Sequence, residues 1–156
     1  MLGTLVAGCG GDAATNSGSS PRMTHDQYQV AIARIESSPV ARQADRLFLS
    51  LAVGDLSKDD CRKGARRFAN DVHAIVNAVA ALRPPADAAD LQQDLLSAAR
   101  DTSSRIDELA DDVEAGTVSC GQPWNVRAYG LSSTFKAEHV IIELGKRGYR
   151  LGLNSE

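Results

Sequence analysis

The segment "CRKGARRFANDVHAIVNAVAALRPP", residues 61–85, gives the main evidence for the fold predicted for this chain of 156 residues. Its apolar residues recur at intervals that alternate between four and three: Cys61, Ala65, Phe68, Val72, Ile75, Val79 and Leu82. This spacing is typical of a long helix that packs lengthwise against other helices. Ser57 is the predicted N-cap of this helix, and Pro84 and Pro85 end it.

Helical patterns on both sides of this stretch indicate an all-α fold. The predicted helices are residues 24–54, with an interruption at Ser37-Ser38-Pro39; residues 58–82; residues 85–115; and residues 126–147, with Gly130 as a weak point in the first turn of the last one. The connections between them are short, which favours antiparallel neighbours. The sequence therefore predicts an antiparallel four-helix bundle whose first helix is kinked or split.

Near the N-terminus, the run "LVAGC" at residues 5–9 resembles the lipobox of bacterial lipoproteins. The resemblance implies that Cys9 carries a diacylglyceryl group and that a signal peptidase cuts before it, which leaves residues 1–8 as the remnant of a signal peptide. Those eight residues carry no charge and are shorter than an export signal, so we expect a start codon further upstream or a truncated chain. The alternative is a chance cysteine in an ordinary N-terminus.

Residues 9–23 connect this run to the helical domain. Between Gly10 and Arg22 there is no large apolar residue, which predicts a flexible tether ahead of one helical-bundle domain at residues 24–156. No later apolar run approaches the roughly 18 residues of a transmembrane helix, so the lipid is the expected contact with the membrane. The protein is accordingly expected to be exported and lipid-anchored to the extracytoplasmic face of the cell membrane.

The remaining cysteines form a candidate disulfide. If Cys9 carries lipid, Cys61 and Cys120 are left as a pair, and export permits a bond between them. An antiparallel turn near residue 84 places Cys61 level with about residue 107, and the chain after Gly116 is long enough to return to it. We therefore expect a Cys61–Cys120 disulfide, with two reduced thiols as the alternative.

Two clusters of charge lie at the same end of the predicted helical hairpin. They are the basic residues Arg62, Lys63, Arg66 and Arg67, and the acidic residues Asp107, Glu108, Asp111, Asp112 and Glu114. The basic cluster lies near the N-terminus of its helix and the acidic cluster near the C-terminus of its helix, where the helix dipole disfavours each charge. Because like charges within each cluster also repel each other, we interpret the two clusters as solvated flanks that compensate each other. A lipid-headgroup patch and a divalent-cation site are the alternatives. The net charge of −3 gives no support for nucleic-acid binding.

Few residues suggest a catalytic, cofactor-binding or metal-binding site. The sequence has no glycine-rich phosphate loop and no HExxH, CxxC or GxSxG motif, so neither enzymatic activity nor a cofactor is expected. His139 and Glu143, spaced at i and i+4, form a candidate metal site together with His73; a helical ion pair or a buried, hydrogen-bonded histidine is the alternative. Trp124 is either a lid over the end of the core or a contact for a partner.

The function predicted first is a non-enzymatic interaction or scaffold module at the cell envelope, with an envelope protein as its partner. The alternative is a helical bundle in the same location that binds a metal or a small ligand around His73, His139 and Glu143.

Overall fold

The computed structural model describes residues 21–130 and 134–150, with side chains described at residues 21–129 and 139–150. Within these ranges all regular structure is helical. The α-helices are α1 (His25–Glu36), α2 (Pro39–Val53), α3 (Lys58–Ala80), α4 (Ala89–Ala115), α5 (Gln122–Gly130) and α6 (Thr134–Lys146), and Ala86–Ala88 forms a 3₁₀ turn. The all-α prediction is confirmed. Cys9, the predicted signal-peptide remnant and most of the predicted tether lie outside the described residues.

None of the helices in the described ranges combines the length and the apolar character that crossing a membrane requires.

Helix capping explains where the first two helices begin. The Thr24 side chain accepts a hydrogen bond from the backbone N–H of Gln27, and the Gln27 side chain accepts one from the backbone N–H of Thr24. This reciprocal pair is a capping box. Ser38 caps α2, and Pro39 follows it as the first helical residue, where a missing N–H removes no helical hydrogen bond. The predicted interruption of the first helix is therefore a break into two helices.

Both α1 and α2 run antiparallel to α3. At one end, the backbone N–H of Met23 donates to the carbonyl of Arg83. At the other end, Leu51 lies over Gly64, where an added Cβ would be 3.2 Å from the leucine Cδ2. Residue numbers thus rise along α1 and α2 while they fall along α3. Because the two contacts lie near opposite ends of α3, the two short helices together cover most of its length.

The buried side chains form two clusters, one toward each end of α3. The cluster at the N-terminal end of α3 includes Leu51, Cys61, Phe68, Leu109 and Trp124, and the other includes Tyr28, Ile32, Leu91, Leu144 and Tyr149. Each cluster combines helices that are far apart in the sequence. Burial of apolar area therefore joins the N-terminal and C-terminal parts of the described chain.

The register between α3 and α4 differs from the prediction. Arg66 Nη2 lies 2.6 Å from Asp111 Oδ1, and His73 Nε2 lies 2.7 Å from Asp107 Oδ2. Because residue numbers fall along one helix as they rise along the other, these pairs place Cys61 opposite the C-terminal end of α4. The expectation that Cys61 lies level with residue 107 is wrong.

The connection between the two helices explains the shift. α3 ends at Ala80, α4 begins at Ala89, and the 3₁₀ turn of residues 86–88 lies between them. The prolines at residues 84 and 85 do not form a tight turn between the helices. The chain therefore changes direction further along the sequence than the prediction assumed. As a result, α4 ends close to Cys61, and residues 116–120 do not have to run back along α3 to reach it.

The predicted last helix consists of two helices. α5 begins at Gln122 rather than at about Val126 and ends at Gly130, and α6 begins at Thr134. Pro123 is tolerated in the first turn of a helix, which explains the earlier start of α5. Residues 131–133, between α5 and α6, lie outside the described residues. Trp124, predicted to lie in a loop, is therefore part of α5.

A close approach of two glycines joins the end of α2 to the start of α5. Gly54 has a φ of +81°, and a Cβ at this position would lie 2.4 Å from the Cα of Gly121. The backbone N–H of Gly121 donates to the carbonyl of Leu51 at 2.7 Å. We expect Gly54→Ala to lower the free energy of unfolding by about 3 kcal/mol, because it adds a backbone clash to the strain of a left-handed alanine.

The matched control for this prediction is Gly116→Ala. Gly116 has a φ of +78°, but a Cβ there would meet nothing within 4 Å. Only conformational strain is expected, with a loss of about 1 kcal/mol. Urea denaturation followed by circular dichroism measures both variants. Equal losses would show that the contact between Gly54 and Gly121 contributes nothing to stability.

Candidate functional site

A disulfide closes the end of the molecule where α3 begins. Cys61, in the first turn of α3, is bonded to Cys120, which precedes α5, and their Cα atoms are 5.9 Å apart. The predicted pairing is confirmed. A cleft of about 240 Å³ lies beside the bond and is lined by both cysteines and by Leu56, Lys58, Arg62, Val113 and Val118.

One arginine of the basic cluster links α3 to α4. Arg66 Nη2 donates hydrogen bonds to Asp111 Oδ1 at 2.6 Å and to Glu114 Oε2 at 2.8 Å. These two bonds raise the pKa of the Arg66 guanidinium, because both carboxylates favour its charged form. Arg62 instead lies 3.9 Å from Asp59 of its own helix. The predicted pairing of basic and acidic flanks is thus present at Arg66.

His73 contacts two side chains of α4 that lie one helical turn apart. Its Nε2 is 2.7 Å from Asp107 Oδ2, and its Nδ1 is 3.1 Å from Ser103 Oγ. The three residue types are those of a hydrolytic triad, but Ser103 is only 3% exposed and lies in the middle of α4. The backbone N–H groups around it are used by the helix itself and cannot stabilise an oxyanion. The cluster is arranged to hold α3 against α4.

The three residues predicted as a metal site do not form one cluster, although the charge of Glu143 interacts with His139 one turn before it on α6. His73 is engaged by Asp107 of α4, whereas His139 is exposed on α6. Glu143 accepts a hydrogen bond from Lys146 Nζ at 2.6 Å, and this bond lowers the pKa of the Glu143 carboxyl. In the part of the chain that the structure describes, no group of three or more His, Cys, Asp or Glu side chains could hold a metal ion.

Trp124 packs in the core cluster beside the disulfide. Its side chain is fully buried, and its ring meets Phe68 edge-on with the centroids 5.9 Å apart. The indole N–H has no hydrogen-bond partner among the described residues. This position fits a residue that closes the end of the core, and a direct contact with a partner would require α5 to leave the core.

Residues just after α6 dock against the start of α4. The Tyr149 hydroxyl donates to Asp87 Oδ1 at 3.1 Å, and Arg147 donates to the carbonyl of Asp87 and to Asp90 Oδ1. The His25 ring stacks on Tyr149 with the centroids 4.1 Å apart. We call Arg147, Tyr149, Asp87 and Asp90 the C-terminal latch. The sequence indicates that Tyr149 packs back on the helices, but it does not identify these partners, because helical periodicity cannot detect contacts between residues so far apart in the chain.

The C-terminal latch predicts a loss of stability at alkaline pH. Burial, together with the hydrogen bond to Asp87, raises the pKa of Tyr149 from 10.0 to about 12. Unfolded Tyr149 therefore loses its proton at a lower pH than folded Tyr149, and the stability that depends on the neutral phenol is present below pH 10 and lost as the pH rises toward 12. We expect the free energy of unfolding to fall more steeply between these values in the wild type than in Tyr149→Phe. Urea denaturation across this range measures both slopes, and parallel profiles would contradict the prediction.

Comparison with known proteins yields no match, whether with a protein-family model, a curated protein or a solved structure.

Proposed function

We propose that this protein is an exported lipoprotein, anchored at the extracytoplasmic face of the membrane through Cys9, whose helical domain is a non-enzymatic interaction module. The observation that carries the proposal is the Cys61–Cys120 disulfide. Disulfides persist in oxidising compartments outside the cytoplasm. Since the chain has three cysteines, this pairing leaves Cys9 for the lipid, as its lipobox-like surroundings imply.

The proposed architecture of the module is an antiparallel bundle of four helical rods: α1–α2, α3, α4 and α5–α6. Arg127 of α5 pairs with Asp112 near the end of α4, and Arg147 after α6 pairs with Asp90 near its start. These pairs support a direction of α5 and α6 opposite to that of α4. Nuclear Overhauser contacts across both pairs test the arrangement, and their absence from a folded sample would contradict it.

Exposed apolar side chains on adjoining helices support an interaction role. Leu49 and Val53 lie one turn apart on α2, and Val126 lies on α5, which packs against α2. Their exposed fractions are 61%, 77% and 66%. A contiguous exposed apolar surface is typical of sites that meet other molecules, and we propose that these three side chains belong to one such surface.

Three forms of the protein, expressed from the native upstream region, test the anchor. The wild type is expected to enter the detergent phase, to begin at Cys9 and to carry diacylglyceryl mass. Cys9→Ser is expected to stay aqueous and unmodified. A Cys61→Ala/Cys120→Ser variant is the control, because it loses the disulfide and keeps the lipid. An aqueous, unmodified wild type would contradict the proposal.

Photo-crosslinking tests the interaction role in the membrane-anchored protein. A photoreactive residue at Val53 is expected to give a discrete adduct with one envelope component. The same residue at Ser104, which is exposed on α4, is the matched control. If neither position gives an adduct, or if both give the same adducts, this face has no specific partner.

A further inference from the structure

A groove of about 260 Å³ lies between α2 and α3. It is lined by Gln43, Arg46, Leu47 and Ser50 from α2 and by Arg67 from α3. The guanidinium-bearing side chains of Arg46 and Arg67 thus come from opposite sides of the groove. Lys63 precedes Arg67 by one helical turn, so it lies on the same face of α3.

The cationic side chains at and beside this groove have no acidic partner in the part of the chain that the structure describes. Within the described residues, Arg46, Lys63 and Arg67 form no ion pair. Arg66, the neighbour of Arg67 in sequence, behaves differently because it points toward α4 and pairs with two carboxylates there. Arg66 of α3 is therefore paired with carboxylates of α4, whereas Arg67 at the groove with α2 forms no ion pair within the described residues.

The carboxylates closest in sequence to Arg46 and Arg67 do not pair with these arginines. Asp45 precedes Arg46, and Asp71 follows Arg67 by one turn, but neither forms an ion pair in the described part of the chain. Like charges held on two sides of a groove repel each other, and a groove with one sign of charge raises the local concentration of counter-ions. An anion between Arg46 and Arg67 would relieve this repulsion.

The hydrogen-bonding groups of the groove suit an oxyanion. A guanidinium presents parallel N–H donors that match the oxygens of a phosphate group, and the Gln43 amide adds further donors. Ser50 Oγ donates to the carbonyl of Arg46 at 2.9 Å, so its remaining capacity is to accept a hydrogen bond. A hydroxyl group attached to the phosphate or next to it could supply that bond.

We propose that the groove between α2 and α3 binds a phosphate-class oxyanion through Arg46 and Arg67, with Gln43 as an additional donor. The phosphate group belongs either to a free phosphate ion or monoester, or to an anionic lipid headgroup. Only the second source rests on the proposed function, because it requires the domain to lie near a membrane.

A titration with inorganic phosphate tests the site itself. The full chain is used with Cys9→Ser, so that the result does not depend on lipidation. We expect saturable shifts of the Nε–Hε NMR signals of Arg46 and Arg67. The single variants Arg46→Gln and Arg67→Gln should each bind phosphate about tenfold more weakly or worse, since each change removes charge-assisted hydrogen bonds.

The matched control is Arg100→Gln. Arg100 is exposed on α4 and forms no ion pair within the described residues. The carbonyl of Arg100 accepts a hydrogen bond from Ser104 Oγ, and in the same way the carbonyl of Arg46 accepts one from Ser50 Oγ. The change in charge and the local helical setting are therefore the same as in Arg46→Gln. If Arg100→Gln weakens binding as much as Arg46→Gln does, the effect is one of net charge and the proposed site is wrong.

Vesicle flotation distinguishes the two sources of phosphate. The same proteins are mixed with phosphatidylcholine vesicles that contain or lack phosphatidylglycerol. The chain carries a net charge of −3, so net charge does not attract it to anionic vesicles. Flotation with the anionic vesicles that is lost in Arg46→Gln identifies a headgroup site. Binding of inorganic phosphate without flotation identifies a free phosphate or monoester. If neither probe binds, the proposal is overturned, whatever the outcome of the Cys9 lipidation test.

Discussion

Removing the Cys61–Cys120 disulfide is expected to lower the free energy of unfolding by about 4 kcal/mol. The bond joins residues separated by 59 positions, and a loop of this length loses much of its conformational entropy in the unfolded chain when it is closed. Trp124 is the single tryptophan of the sequence and is fully buried beside the bond. Urea denaturation followed by its fluorescence therefore measures the effect, with and without a reductant.

The variant pair for this experiment is Cys61→Ala with Cys120→Ser. Cys61 is buried in the core cluster, where alanine adds no polar group, whereas Cys120 is half-buried and tolerates serine better. Cys9→Ser is the control, and it should leave both the stability and the response to reductant unchanged. A loss below about 1 kcal/mol in the double variant would mean that the unfolded chain gains little freedom when the bond is removed.

Local rules of helix formation account for the parts of the fold that the sequence predicts. Ser38 and Pro39 specify the start of α2, and Gly54 and Gly116 end helices with φ values of +81° and +78°. Each of these signals depends on one or two neighbouring residues. The disulfide could also be predicted, because the connection from α4 is short enough for Cys120 to reach Cys61 under either register.

The register of α3 against α4 could not be predicted, because it depends on the path of the connection. The pattern of apolar residues shows which face of each helix is buried, but it does not show how far the chain travels before it reverses. The 3₁₀ turn Ala86–Ala88 sets that distance. The one signal for the true register is the pairing of Arg66 with Asp111, which sequence reasoning treated as a pairing of whole clusters.

The C-terminal latch and the groove between α2 and α3 could not be predicted from the sequence for a different reason. Each brings together residues from helices whose mutual rotation the sequence leaves open. Arg66 and Arg67 are adjacent and were placed in one basic cluster, yet one binds carboxylates of α4 and the other lines the groove with Arg46. Since neighbouring residues on a helix point about 100° apart, only the packing of α3 between α2 and α4 separates their roles.

Truncation of Trp124 to alanine is expected to lower the free energy of unfolding by about 4 kcal/mol. The side chain is fully buried in the cluster that contains Leu51, Phe68 and Leu109, so its removal leaves a large cavity. Trp124→Phe should cost much less, because an aromatic ring is kept against Phe68 and the lost indole N–H has no hydrogen-bond partner among the described residues. Thermal and urea denaturation followed by circular dichroism measure both variants.

Val126→Ala is the matched control, since Val126 lies in the same helix and is 66% exposed. A change within about 0.5 kcal/mol is expected there. Similar losses at the two positions would show that α5 does not dock through Trp124.

The effects of Trp124→Ala and of disulfide removal are expected not to be additive. Cys120 lies one helical turn before Trp124, and the backbone N–H of Trp124 donates to the carbonyl of Ser119. The bond and the indole therefore hold the same segment against the same end of α3. Once the disulfide is broken, α5 can separate from the core at a lower cost, so truncation of the indole should remove less stability than it does in the bonded protein. A double-mutant cycle measures this coupling, and strict additivity would show that α5 stays docked without the bond.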